Sequence, residues 1–137
     1  MKPRILVVDD EPTLRRTLER ALRSFDYDVI TVGEPHLAYE VLEDGDFDLV
    51  LLDIHLPQMA GDALFLALVR RWPQLRGRVV LMTGDPGAVR PDWPAELLCC
   101  PVLSKPFTLD SLSTLVAGAL SAASASETQR KRNGGHG

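Results

Sequence analysis

Short β-branched runs alternating with amphipathic helical stripes predict an α/β protein: a five-stranded parallel sheet, doubly wound, in (βα)5 order. Three observations carry this expectation. The runs Ile5-Leu6-Val7-Val8, Asp48-Leu49-Val50-Leu51-Leu52 and Arg78-Val79-Val80-Leu81-Met82 are apolar on both faces, as strands covered on both sides are. Each run is followed by a segment whose apolar residues recur at helical spacing. The 137 residues fit one domain and can bury a sizeable core.

The elements follow in order. Ile5–Val8 is the first strand and stops at Asp9-Asp10. Pro12 suits a first helical turn, and Leu14, Leu18, Ala21, Leu22 and Phe25 form the stripe of the first helix. Asp28–Val32 is the second strand. Leu37, Ala38, Val41 and Leu42 mark the second helix, ended by Asp44-Gly45. The third strand, Asp48–Leu52, stops at Asp53, and Ala60–Trp72 is the third helix, stopped before Pro73. The fourth strand, Arg78–Met82, stops at Thr83-Gly84. Pro86–Leu98 holds Pro91 and Pro94, so the fourth helix is expected to be short, displaced or broken. Cys99–Leu103 is the last strand, and Thr108 caps a fifth helix with Leu112, Leu115, Val116, Ala119 and Leu120 on one face. The domain is expected over residues 1–121. Residues 122–137, alternating Ala and Ser, then Gln129-Arg130-Lys131-Arg132, then Gly-rich, are expected to be a flexible tail.

Composition removes several function classes. Apolar residues at 45% and charged residues at 25% argue against global disorder. Fifteen Lys and Arg against 19 Asp and Glu give a net charge of −4, which disfavours nucleic acid and anionic membranes as partners. Leu64–Val69, the longest apolar block, is far below a membrane span and ends at Arg70-Arg71. No secretory signal opens the chain, so a cytoplasmic location is expected. Cys99 and Cys100 are too few and too close for a zinc site or a disulfide framework and are expected to be buried thiols.

Ligands of open α/β sheets bind beyond the carboxyl ends of the strands. There the chain carries Asp9, Asp10, Asp53 and Thr83, with Lys105 after the last strand and before Pro106. Crowded carboxylates repel, and an oxygen-only set favours Mg2+ or Mn2+. A carboxylate can attack phosphorus, while a cation, an ammonium and a hydroxyl balance the charge on the phosphoryl oxygens.

Four blocks, in order, carry a family resemblance. Ile5–Glu11, Asp48–Gly61, Met82-Thr83-Gly84 and Ser104-Lys105-Pro106-Phe107 resemble the receiver domains of response regulators, over about residues 3–120. The resemblance implies a flavodoxin-like receiver fold with Asp53 as phosphoacceptor. It implies Mg2+ on Asp10, Asp53 and the His55 backbone carbonyl, with Asp9 acting through a water. Thr83 would swing to the phosphoryl group, Lys105 would contact it, and Pro106 would follow a cis peptide bond. The phosphoryl donor would be a sensor histidine kinase or a histidine phosphotransfer protein, and a further, unidentified protein would read the state. Homodimers through the fourth-helix to fifth-helix face are also implied. Turnover would be confined to the domain's own phosphorylation and dephosphorylation.

Two features depart from the family pattern. Leu103 stands where an aromatic usually changes rotamer as the Thr hydroxyl moves. With the prolines of Pro86–Leu98, this directs signalling towards rearrangement of the Gly84–Leu98 segment. His55 and Asp85, each two residues past a strand end, are candidates for tuning the rate. His36 and His136 are expected on the surface, Gly61 in a tight turn, and Arg130-Lys131-Arg132 as a solvated charge run.

A stand-alone receiver is the leading expectation, with a receiver cut from a hybrid histidine kinase or longer regulator beside it. An aspartyl-phosphate hydrolase is a more distant alternative, since His55 stands where such enzymes carry a second Asp. A nucleotide or flavin module lacks its Gly-rich loop after the first strand, and Asp9-Asp10-Glu11 would repel a phosphate there. A scaffold without phosphorylation would not need all five site residues.

Overall fold

The structure, a computed structural model, describes residues 2–134 and the side chains of residues 2–125. Five parallel strands form one sheet in the order β2-β1-β3-β4-β5. They are β1 (Arg4–Val8), β2 (Asp28–Val32), β3 (Leu49–Asp53), β4 (Val79–Thr83) and β5 (Val102–Ser104). The helices are α1 (Pro12–Ser24), α2 (Pro35–Asp44), α3 (Gly61–Arg71), α4 (Ala95–Leu98) and α5 (Leu109–Gly134).

The two-residue strand period divides the core. Ile5, Val7, Leu49, Leu51, Val80 and Met82 pack with α1 and α5 through Leu18, Leu22, Leu112 and Val116. Leu6, Val8, Val50, Leu52, Val79 and Leu81 face the other way, against Ala38, Leu42, Leu64, Phe65 and Leu68 of α2 and α3. β1, β3 and β4 are therefore buried on both faces, which is why their sequences do not alternate. Each fully buried leucine contributes about 1.5–3 kcal/mol of transfer free energy.

Helix ends follow local chemistry. Pro12 and Pro35 open α1 and α2, and Thr108 and Ser111 exchange side-chain to backbone hydrogen bonds at the start of α5, 3.0 Å each way. Gly77 turns into β4 with φ +77°. Pro91 and Pro94 leave only a 3-10 turn at Pro86–Ala88 and a single helical turn in α4, as the prolines predict.

Several expectations change. Cys99 is exposed and Cys100 half-buried, not the buried pair expected. The reason is that α4 ends at Leu98 and β5 begins only at Val102, so the cysteines lie outside the sheet; the Cys100 thiol lies 3.5 Å from the Glu96 carbonyl. Burial and the neighbouring Cys99 and Glu96 push the Cys100 thiol up to about 12. Helix α5 runs on to Gly134, through residues assigned to a tail by composition, and buries Ala123 on the way. Alanine, glutamate, glutamine, arginine and lysine in this stretch are good helix formers. The side chains of Arg130-Lys131-Arg132, and His136 altogether, lie outside the described residues. His36 is exposed and pairs with Glu34 at 3.2 Å. No helix among the described residues is long and apolar enough to cross a membrane.

Candidate functional site

The carboxyl edge of the sheet gathers residues from four loops. Asp53 and Thr83 end adjacent strands, and the ladder continues past them. Ile54 N–H donates to the Met82 carbonyl at 3.1 Å, and Lys105 N–H donates to the Thr83 carbonyl at 2.7 Å. The Lys105–Pro106 peptide that follows is cis. Asp9 continues β1 in the same way, its N–H donating to the Val32 carbonyl at 3.0 Å. Sheet register therefore brings Asp9, Asp53, Thr83 and Lys105 to one edge, with Thr83 facing the opposite side of the sheet from the other three.

The loops then lock the carboxylates by short-range turns. Asp9 Oδ1 accepts the Glu11 N–H, and Asp53 Oδ1 accepts the His55 N–H, both at 2.9 Å. These are side-chain turns of the kind Asp favours two residues before a donor. Gly61 closes the loop after β3 from the far side. Its N–H donates to the Ile54 carbonyl at 3.2 Å, and a Cβ there would lie 2.4 Å from Ile54 Cα. Glycine is required by this close approach, at the first residue of α3 rather than in a separate turn.

Lys105 spans the two buried carboxylates. Its Nζ lies 2.8 Å from Asp9 Oδ2 and 3.3 Å from Asp53 Oδ2. Asp9 is fully buried, Asp53 is 3% exposed and Asp10 is exposed. Burial pushes the Asp53 carboxyl above its ordinary range; the His55 N–H and the Lys105 charge oppose that, and the Asp9 charge adds to it. Burial lowers the Lys105 ammonium, but the Asp9 hydrogen bond and the charges of Asp53 and Asp9 outweigh it and hold the ammonium above its ordinary value.

One carboxylate oxygen from each of Asp9, Asp10 and Asp53 lies within 4.8 Å of the others. Three carboxylates against one ammonium leave two negative charges in this corner. An all-oxygen set with that surplus fits Mg2+ or Mn2+ and does not resemble a zinc site.

Two site contacts were not read from the sequence. Arg15, near the start of α1 and six residues past Asp9, donates to the Asp9 carbonyl at 2.7 Å. The His55 ring reaches Thr83: Nε2 lies 2.8 Å from Thr83 Oγ1. Asp85 meets the same hydroxyl through its backbone and turns its carboxylate to the Gly87 N–H. Leu103 is buried in the core with α1 and α5, and Phe107 packs against that core.

Comparison with known proteins agrees with this geometry. Residues 5–117 match the family described as the response regulator receiver domain. The receiver protein CpdR of Brucella abortus is 36% identical over 110 residues, covering 80% of this chain and 89% of CpdR. The transcriptional regulator TcrA of Mycobacterium tuberculosis is 38% identical over 114 residues, covering 80% of this chain and 42% of TcrA. The rice two-component response regulator ORR26 is 32% identical, and this chain spans 19% of it. Among solved structures, NtrX of Brucella abortus superposes with a TM-score of 0.84 at 26% identity, covering 97% of this chain and 30% of NtrX. The chemotaxis regulator CheY4 of Vibrio cholerae shares the fold, with a TM-score of 0.77 at 22% identity over 87% of this chain and 99% of CheY4.

Proposed function

The chain belongs to the receiver-domain family of two-component response regulators, and on that premise we propose that Asp53 accepts a phosphoryl group from a phosphohistidine donor. The observation that carries the reading is the Lys105 bridge between two buried carboxylates at the sheet edge, with a third within reach. Such crowding is costly for a merely structural site. It suits a site built to receive a cation and a phosphoryl group together.

Asp10, Asp53 and the His55 carbonyl would hold Mg2+ directly, with Asp9 acting through a water. Bound there, Mg2+ supplies charge neutralisation for the phosphoryl oxygens. The ionised Asp53 carboxylate attacks phosphorus. A new O–P bond forms, the N–P bond of the donor breaks, and the departing imidazole keeps that electron pair. The His55 N–H restrains Asp53 Oδ1 and so orients the nucleophile. Lys105, already 3.3 Å from Asp53 Oδ2, contacts a phosphoryl oxygen. The Thr83 hydroxyl turns to another. Hydrolysis of the acyl phosphate resets the domain, with the side chains of His55 and Asp85 positioned to alter its rate.

The domain is a signalling module whose turnover ends with its own phosphate. Its donor is a sensor histidine kinase or phosphotransfer protein in the cytoplasm, and its reader is another protein. A homodimer through the fourth- and fifth-helix face would rest on the single turn of α4 and the flank of α5.

The test is intact-mass spectrometry after incubation with Mg2+ and acetyl phosphate or phosphoramidate. A labile, Mg2+-dependent gain of a single phosphoryl group is expected in the wild type and is absent in Asp53→Ala. A stable wild-type mass under all conditions overturns the reading, and turnover of a generic phosphate ester would favour a hydrolase.

A further inference from the structure

The Thr83 hydroxyl is fully occupied. The side chain is completely buried, and its Oγ1 has three partners. It accepts the Asp85 N–H at 3.0 Å, lies 2.9 Å from the Asp85 carbonyl, and lies 2.8 Å from His55 Nε2. None of these partners is Asp53 or Lys105. A hydroxyl has one proton and two lone pairs. With the proton on the Asp85 carbonyl, all three contacts are satisfied when Nε2 carries hydrogen and donates to the second lone pair. With Nε2 bare, the proton goes to the ring and the Asp85 carbonyl keeps only the Ala88 N–H, at 2.9 Å. In both arrangements the hydroxyl proton is engaged, so none is free for a phosphoryl oxygen.

His55 makes this contact from a loop already tied to the nucleophile. Its backbone N–H holds Asp53 Oδ1 at 2.9 Å while its ring, exposed at the mouth, covers the buried hydroxyl. One residue therefore touches the phosphoacceptor by its main chain and the switch hydroxyl by its side chain, across 28 residues of sequence. On the other side of Thr83, Asp85 caps the 3-10 turn Pro86–Ala88 through Gly87.

We propose that the imidazole of His55 is a positioning residue that latches the Thr83 hydroxyl onto the Asp85 backbone in the resting state, so that phosphorylation of Asp53 must break this latch and thereby loosens the Pro86–Leu98 segment. The inference rests on Asp53 being the phosphoacceptor. It gives the domain a route to its surface that needs no aromatic at Leu103, which is buried, 2% exposed, and has no polar atom to report the movement. A contact present only in the resting state opposes the switch by its own free energy, so removing it favours the switched state.

The experiment measures binding of beryllofluoride, a phosphoryl mimic, to the full chain with Mg2+, in wild type, His55→Ala, Thr83→Ala and the double variant. His55→Ala is expected to bind about two- to tenfold more tightly, the size of one hydrogen bond. In the Thr83→Ala background the same substitution is expected to change nothing. His55→Gln, whose amide can donate to the hydroxyl, restores affinity towards the wild type. By amide NMR without the mimic, the Asp85 and Gly87 resonances of His55→Ala are expected to lie part-way towards their bound positions. Unchanged affinity in His55→Ala, or a gain that persists without Thr83, overturns the latch and assigns His55 to water access instead. Failure of the wild type to bind the mimic, with the fold intact, overturns the phosphoacceptor reading itself and the latch with it.

Discussion

The two halves of the sheet's carboxyl edge are built differently. Around β1, β3 and β4 every strand has five residues, both faces are covered, and the loops after β1 and β3 are pinned by side-chain turns at Asp9 and Asp53. Beyond Thr83 the chain makes a 3-10 turn, one turn of α4 and a three-residue edge strand. Trp93 on this flank has a buried indole N–H with no partner among the described residues. On the proposed reading, the contrast places group-transfer chemistry where the backbone is most constrained and the response where the chain is least regular. Segments with few buried contacts open at low free energy.

The strongest test of the rigid half removes Lys105. Lys105→Met leaves the Asp9 and Asp53 carboxylates without their ammonium, and a stability loss of about 3 kcal/mol is expected in urea unfolding without Mg2+. Asp53→Asn, which relieves a carboxylate disfavoured by burial, is expected to show no such loss. The pH dependence has a definite sign. Because Lys105 is held above its ordinary value of 10.5, its contribution is complete below that pH and is lost as pH rises through the folded value. With both carboxylates ionised, the gap in Tm between wild type and Lys105→Met should be flat from neutral pH up to about pH 10 and close above it. A gap that widens there would mean that the ion pair is not its source.

Gly61→Ala tests the same half through packing. The added Cβ meets backbone rather than a flexible side chain, so about 1–3 kcal/mol is expected, with slower phosphorylation because Ile54 adjoins Asp53. Urea midpoints and the mass-spectrometric time course read the two effects.

The smallest effect is expected on the irregular flank. Pro91 is exposed and lies outside the helices and strands, so Pro91→Ala should shift stability by no more than about 0.5 kcal/mol. Beryllofluoride binding should stay unchanged. A loss of binding there would break the division between a rigid chemical half and a pliant signalling half.

Much of this arrangement is legible from short-range pattern. Apolar runs that end in Asp9, Asp53 and Thr83 announce buried parallel strands and a polar edge, because a strand covered on both faces cannot admit carboxylates until it leaves the core. Pro91 and Pro94 announce a failed fourth helix because proline lacks the N–H that a helix interior uses. The end of the last helix was not legible, since Ala and Ser suit a mobile tail and an extended α5 equally. Cys99 and Cys100 were misplaced because their apolar character says nothing of where a shortened strand begins.

By itself, then, the sequence determined the fold class, where the first four strands lie and the identity of the five residues gathered at their carboxyl edge, since these follow from local periodicity and from side chains that hydrophobic strands exclude. Only the tertiary structure decided which of them touch. The Lys105 bond to Asp9 joins positions 96 residues apart, and the His55 ring finds Thr83 across 28. Such contacts depend on sheet register and loop closure, which place side chains to within the ångström that a hydrogen bond demands, and no local pattern encodes that distance.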